Sequence, residues 1–251
     1  MVETHYVPSK TAEQVLRARY LLKDDAGKVL ETPEEMLRRV ARHVAAAERT
    51  FDPHADVAKA EKQFFEAMCR LDFLPNSPTL MNAGTDIGQL AACFVLPLDD
   101  SLEDIFETAR RAALVFKSGG GVGISFSRLR PRGDAVRSTG GVASGPVSFM
   151  RIFDTGADVV KQGGRRRGAM MGALRVDHPD ILEFIGCKRE PGRLASFNIS
   201  VAVTDAFMAA LASEGEYDIV NPKTGRTVRR MRASEVFDEI VRCAHANRVT
   251  R

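Results

Sequence analysis

From residue 90 onward the chain alternates short apolar runs with amphipathic stretches, and this alternation restricts the fold more than any other feature. Ala91-Ala92-Cys93-Phe94-Val95-Leu96 reads as a buried strand. Ser101, with Asp104 three residues on, starts a helix, because a Ser hydroxyl at the N-cap accepts a bond from a free first-turn N–H. Leu102, Ile105, Phe106, Ala109, Ala113 and Phe116 then recur at helical spacing and predict one apolar stripe. A strand over 123–129, a Pro/Gly/Arg/Ser loop over 130–145 and a helix over 147–161 follow. After a loop over 162–168 come a strand at 172–176, a helix entered at Pro179 with Ile181, Leu182, Phe184 and Ile185, and a strand at 198–203 passing to a helix capped by Thr204. Strands at 217–220 and 227–231 flank the turn Asn221-Pro222-Lys223-Thr224-Gly225, and a last helix spans 234–247. Such an order predicts an α/β fold.

The part before it reads as helical. Thr32-Pro33-Glu34-Glu35 combines an N-cap Thr, Pro at the first helical position and Glu at the capping-box position. Met36, Leu37, Val40 and Val44 repeat after it at helical spacing. A second helix over 57–70 turns Phe64, Phe65 and Met68 inward. The character changes at Leu74-Pro75-Asn76-Ser77-Pro78, which predicts a fixed, irregular backbone. The expected organisation is a helical region over 1–70 followed by an α/β domain over 71–251.

Composition excludes several classes. The 251 residues are 44% hydrophobic and 27% charged, ordinary for a globular chain. A formal charge of +3 does not argue for direct DNA or membrane binding, so an anion site has to be a local cluster of arginines. The start, Met1-Val2-Glu3-Thr4-His5, lacks the basic-then-apolar order of a signal peptide, and no run of about 18 apolar residues would span a bilayer. Cys69, Cys93, Cys187 and Cys243 are widely spaced with no CxxC, which speaks against structural disulfides and zinc and for the cytoplasm.

Three segments carry candidate chemistry. Gly163-Gly164-Arg165-Arg166-Arg167-Gly168, preceded by Gln162, offers guanidinium groups on a free-turning backbone, either for phosphate or as a solvated basic loop. Asp99 and Asp100 precede the Ser101 helix, and Arg130, Arg132 and Arg137 lie in the other Gly-rich loop. The acids either compensate the helix dipole or accept from a ribose. Cys93 sits in an apolar run, where a free thiol is ordinarily a small buried hydrophobe. Gly121-Val122-Gly123 fails as a dinucleotide fingerprint because Phe126 stands where the third glycine belongs. His178, before Pro179, reads as a helix-start residue.

Several motifs, in one register, resemble the large chains of ribonucleotide reductases. They are Asn76-Ser77-Pro78-Thr79-Leu80-Met81-Asn82-Ala83-Gly84, Ala92-Cys93-Phe94-Val95-Leu96-Pro97 and Lys117-Ser118-Gly119-Gly120-Gly121-Val122-Gly123. Ser138-Thr139-Gly140-Gly141-Val142-Ala143-Ser144-Gly145-Pro146, the 161–169 segment and Arg175-Val176-Asp177-His178-Pro179-Asp180 continue the series. The wording is most similar to the class II, adenosylcobalamin-dependent branch, with a class I large subunit as the alternative.

The resemblance implies a helical N-terminal part followed by an incomplete first half of a ten-stranded α/β barrel. It implies reduction of a ribonucleotide to a 2′-deoxyribonucleotide by thiyl-radical chemistry, with adenosylcobalamin as cofactor and thioredoxin or a similar reductant as partner. Cys93 matches the first of two reducing cysteines. Ser77, Ala92, Cys93 and Gly121 match substrate-lining positions. Asp100, Ser101, Leu102, Arg130 and Arg137 match a site for a dNTP effector at a homodimer interface, with Asp100 on the sugar and the arginines on phosphates. Gln162, Gly163, Gly164, Arg165, Arg166 and Arg167 match the loop that carries the effector signal to the substrate.

The radical-cysteine loop, the second reducing cysteine and the terminal cysteine tail of the family have no counterpart here, and Arg248-Val249-Thr250-Arg251 departs from the family pattern. The expectation is a fragment inactive alone, with cobalamin contacts unassignable. A dNTP-binding module without catalysis is the reading from another class.

Overall fold

A computed structural model describes residues 5–136, 140–160 and 168–247. The chain divides into two compact units, 1–92 and 93–251. The division falls later than the change of sequence character at 70/71, because α5 (Ser77–Asn82) packs on α2 (Pro33–Ala45) in the first unit.

The first unit is helical, with α1 (Lys10–Arg19), α2, α3 (Glu48–Phe51), α4 (Val57–Cys69) and α5. Ser9, Thr32, Asp56 and Asn76 each accept a first-turn N–H, so four helix starts are capped by side chains. At α2 the capping box forms in both directions. Its interior face is Met36, Leu37, Val40, Ala41 and Ala45; Val44, expected inside, is turned out. On α4, Phe65 and Met68 are buried and Phe64 is not. The stretch expected to be irregular around Ser77 is instead α5: Asn76 caps it and Pro78 sits in its first turn, where its missing N–H costs nothing. Arg39, largely buried, pairs with Glu31 at 2.7 Å and donates to the carbonyls of Leu80 and Ala83, satisfying acceptors at the end of α5.

In the second unit, β1 (Cys93–Leu96), β2 (Gly121–Ser125), β5 (Met170–Arg175) and β6 (Phe197–Ala202) form one parallel sheet in the order β1-β2-β5-β6. Strands join on one side in chain order, as in a barrel, rather than on both sides as in a doubly wound sheet. The connections are α6 (Leu102–Lys117), α7 (Pro146–Val159) and α8 (Ile181–Ile185). α9 (Asp205–Ala212), an antiparallel hairpin of β7 (Glu216–Val220) and β8 (Thr227–Arg232), and α10 (Ala233–Asn247) follow.

The core lies between sheet and helices. Phe126 is fully buried and meets Phe153 and Phe197 edge-on, at 5.8 Å and 6.1 Å between ring centres. The expected stripe on α6 is only partly inward: Ile105 and Phe116 are buried together with Thr108 and Ala112, whereas Leu102 and Phe106 are more than half exposed. The loop expected over 130–145 contains a further two-stranded element, β3 (Ala135–Val136) with β4 (Gly141–Val142). Among the described residues no helix is long and apolar enough to cross a membrane.

Candidate functional site

β1 carries candidate residues at both ends. At its start, Cys93 is the register partner of Gly121, the first residue of β2. Strand alternation puts Cys93, Val95, Gly121, Gly123 and Met171 on the face turned away from the core. Cys93 is exposed and Val95 is 87% exposed. The expectation of a buried strand over 91–96 is therefore corrected: β1 is an edge strand, covered by α6 on one face and bare on the other. Gly121 and Gly123 add no side chain to that bare face, so the backbone beside the thiol is open to a ligand.

Ser77 and Ala92 belong to the first unit, and Cys93 and Gly121 to the second. Ser77 is half-buried at the first position of α5, its Oγ 2.9 Å from the Tyr20 hydroxyl. Ala92 can offer only its main chain. The other thiols are placed differently from Cys93. Cys187 and Cys243 lie in the core of the second unit; burial pushes the Cys187 thiol up to about 11, and Cys243 Sγ donates to Glu239 Oε1 at 3.3 Å. Cys69, half-buried at the end of α4, is also raised by burial.

Beyond the other end of β1, Asp100, Ser101, Leu102 and Arg130 line one cavity of about 400 Å³. Four expected effector residues are thus brought together. Arg130 Nε donates to Asp100 Oδ2 at 2.7 Å, and the Arg130 backbone N–H to Oδ1 at 3.0 Å. Both side chains are mostly buried, so this charge-assisted pair fixes the guanidinium at the cavity wall. Ser101 Oγ accepts from the Asp104 N–H at 3.0 Å and donates to its carboxylate at 2.7 Å. Sequence reasoning missed Val136, Val142, Ala143, Ser144 and Phe149, which line the same cavity. Two-residue strands leave no periodic signal that would have shown them. Arg137 and Gln162, Gly163, Gly164, Arg165, Arg166 and Arg167 lie outside the described residues.

His178 bonds to the main chain of Leu129, next to Arg130. Its ring is buried, with Nε2 2.9 Å from the Leu129 carbonyl and Nδ1 accepting from the Asp180 N–H at 3.0 Å. Burial holds its pKa below the ordinary imidazole value, against the opposing pull of Leu129 O and of Asp180, Asp177 and Asp134. Among the described residues no group of three His, Cys, Asp or Glu side chains forms a metal site.

Residues 91–251 match the family model described as ribonucleotide reductase, barrel domain, and residues 6–88 the one described as ribonucleotide reductase, all-alpha domain. The chain belongs to the large-chain family of ribonucleotide reductases. It is 54% identical, over 95% of its length, to a vitamin B12-dependent ribonucleoside-diphosphate reductase of Mycobacterium tuberculosis, covering 34% of that protein. To a protein of the same description from Thermoplasma acidophilum it is 47% identical over 92% of its length and 37% of the relative. A ribonucleoside-diphosphate reductase large subunit of Arabidopsis thaliana is 34% identical over 88% of this chain and 26% of the relative. The chain therefore spans about a third of the length of the B12-dependent relatives it matches. The helical first unit and the parallel sheet grown on one side are the all-alpha and barrel parts of this family, the barrel being incomplete.

Proposed function

We propose that this chain supplies the effector-binding half and one reducing thiol of a vitamin B12-dependent ribonucleoside-diphosphate reductase. The observation that carries the reading is the layout of β1. An exposed Cys93 beside Gly121 stands at its start, and the Asp100–Arg130 cavity lies beyond its end. In the proposed reaction Cys93 gives reducing equivalents to a ribonucleotide whose 2′-hydroxyl leaves as water, and a second thiol closes a disulfide with it. Neither Cys187 nor Cys243 can be that partner from within the core. Thioredoxin or a similar dithiol would then reset the pair. The higher identity to B12-dependent relatives than to the large subunit from Arabidopsis favours adenosylcobalamin over a separate radical-generating subunit. Adenosylcobalamin would supply the radical that starts the reaction, and no contact to it is assigned to residues of this chain.

The cavity suits a dNTP effector, with Arg130 toward phosphate and the remaining lone pairs of Asp100 toward the sugar. Pairing through α6 and α7 in a homodimer is supported by exposed Leu102, Phe106 and Leu114 on α6 and Val159 on α7. The cytoplasm is the proposed compartment.

Calorimetry of the 251-residue chain with each of the four dNTPs tests the effector site. Saturable heat is expected, weakened about tenfold or more by Arg130→Ala, since a charge-assisted contact to phosphate is lost. Absence of heat at millimolar nucleotide would remove the effector reading. No turnover is expected from this chain with adenosylcobalamin and a dithiol, and deoxyribonucleotide formation would overturn the assignment of Cys93 as a thiol lacking its partner.

A further inference from the structure

We infer that His178, Asp180 and Asn221 form a clamp that sets the stem of the 130–145 loop, which makes His178 a positioning residue for nucleotide recognition at the Asp100–Arg130 cavity. The inference rests on the effector reading of that cavity and deepens it.

The three side chains reach the loop stem at alternating points. His178 faces the Leu129 carbonyl at 2.9 Å. Since Nδ1 accepts from the Asp180 N–H, the proton of the neutral ring is on Nε2, and Nε2–H donates to Leu129. Asp180 Oδ2 accepts the Arg132 N–H at 2.8 Å. Asn221, buried in the turn after β7, donates from Nδ2 to Asp134 Oδ2 at 2.8 Å. Its Oδ1 is held in turn by the N–H groups of Lys223 and Thr224, at 2.9 and 3.2 Å. The far end of the loop closes on the same carboxylate. A Cβ on Gly145 would stand 2.8 Å from Asp180 Oδ2 and 2.9 Å from Arg132 Cβ, and Gly145 has φ +79°.

Arg130 lies between the anchors at 129 and 132. Its 2.7 Å contact to Asp100 has little slack, because hydrogen bonds weaken steeply with misalignment. The stem also has bonds of its own, Gly133 N–H to Ala143 O at 2.9 Å and Ala143 N–H to Asp134 O at 2.8 Å. These close the stem on itself but do not fix where it stands. That position is held by the 176–180 segment and Asn221, beside the Arg130 bonds to Asp100, and the 176–180 segment is itself tied to the β7–β8 hairpin through Tyr217 Oη to Val176 O at 3.0 Å and Val220 N–H to Asp177 O at 2.7 Å.

The test compares His178→Ala with His178→Gln in the full chain, because Gln can both donate to Leu129 and accept from Asp180. Ile181→Val, a buried change on α8 that touches no clamp bond, controls for general destabilisation. Hydrogen exchange at the Gly133 and Ala143 amides is expected to quicken about tenfold in His178→Ala beyond any change at Val122, to stay near wild type in His178→Gln, and to follow Val122 in the control. The dissociation constant for the bound dNTP is expected to rise about tenfold in His178→Ala alone. Unchanged exchange at the stem in His178→Ala, or the same local loss in Ile181→Val, overturns the clamp. Equal dNTP affinity of wild type and His178→Ala overturns the positioning role and leaves the effector reading intact. A wild type that binds no dNTP sinks the effector reading and the positioning role with it, while exchange still decides the clamp.

Discussion

On the helix-covered face of the sheet, Val122, Ile124, Met170, Leu174, Phe197 and Ile199 are buried; on the other face, Cys93, Val95, Met171 and Asn198 stand in solvent. The strands are the same, and alternate residues have opposite surroundings. Parallel sheets in α/β proteins are ordinarily covered on both faces. The first face therefore holds the unit together, and on the second Gly121 of the neighbouring strand stands beside the Cys93 thiol. Buried and exposed positions are separated by one residue step along each strand, so substitutions on the two faces differ in kind.

The largest effect is expected on the covered face. Phe126→Ala removes a fully buried ring that meets two others and costs about 3–5 kcal/mol, lowering the denaturant midpoint of the second unit. A cost under 1 kcal/mol would mean that the aromatic cluster does not anchor this face. Next comes Gly145→Ala, which puts a Cβ on the Asp180 carboxylate in a left-handed backbone and costs about 1–3 kcal/mol. It is also expected to weaken dNTP binding, because strain there moves the loop stem; an unchanged Kd with lowered stability would separate the stem from the site.

A smaller effect concerns pH. Burial keeps His178 neutral in the folded chain, with Asp177, Asp180 and Asp134 pulling the other way. As pH falls through about 6.5, the unfolded imidazole takes up a proton before the folded one does, so the folded state loses stability. His178→Gln has no such group and is expected to show a shallower fall in stability between about pH 7.5 and 5.5. Equal slopes in the two proteins would exclude His178 from the acid sensitivity of this unit.

How much of this was legible in the sequence depended on whether a residue's partner was local. The capping box at Thr32 and Glu35, the cap at Ser101 and the turn at Asn221–Gly225 are decided within a few residues, and the structure has them as expected. Asp100, Ser101, Leu102 and Arg130 were gathered by resemblance rather than by physics, since nothing in spacing brings residues thirty apart to one cavity. Hydrophobic pattern alone misjudged Leu102, Phe106, Val44 and Phe64. It states which side chains favour burial but not whether another element stands opposite. The prolines near Ser77 predict a fixed, irregular backbone, although Pro in a first turn is compatible with a helix. The bond from His178 to the Leu129 carbonyl spans 49 residues to a main-chain atom, and a main-chain acceptor has no letter in the sequence.

The smallest effects belong to the bare face, and there the comparison can fail most informatively. Val95→Ala is expected to change stability by less than about 0.5 kcal/mol, because a side chain 87% exposed gives up little contact when shortened. Iodoacetamide should modify Cys93 ahead of Cys69, Cys187 and Cys243 in the native chain, as read by peptide mass mapping. Access favours the exposed thiol, while burial both shields Cys187 and holds it protonated near neutral pH. The alkylated chain should keep the melting temperature of the free one and its dNTP affinity, since Cys93 and the Asp100–Arg130 cavity lie at opposite ends of β1. Were Cys93 to resist modification, or alkylation to unfold the second unit, that face would be covered in solution and the thiol would serve packing rather than redox chemistry. Fast modification with loss of dNTP binding would instead show that the two ends of β1 are energetically coupled, the property a reductase needs if its effector is to govern events at the thiol.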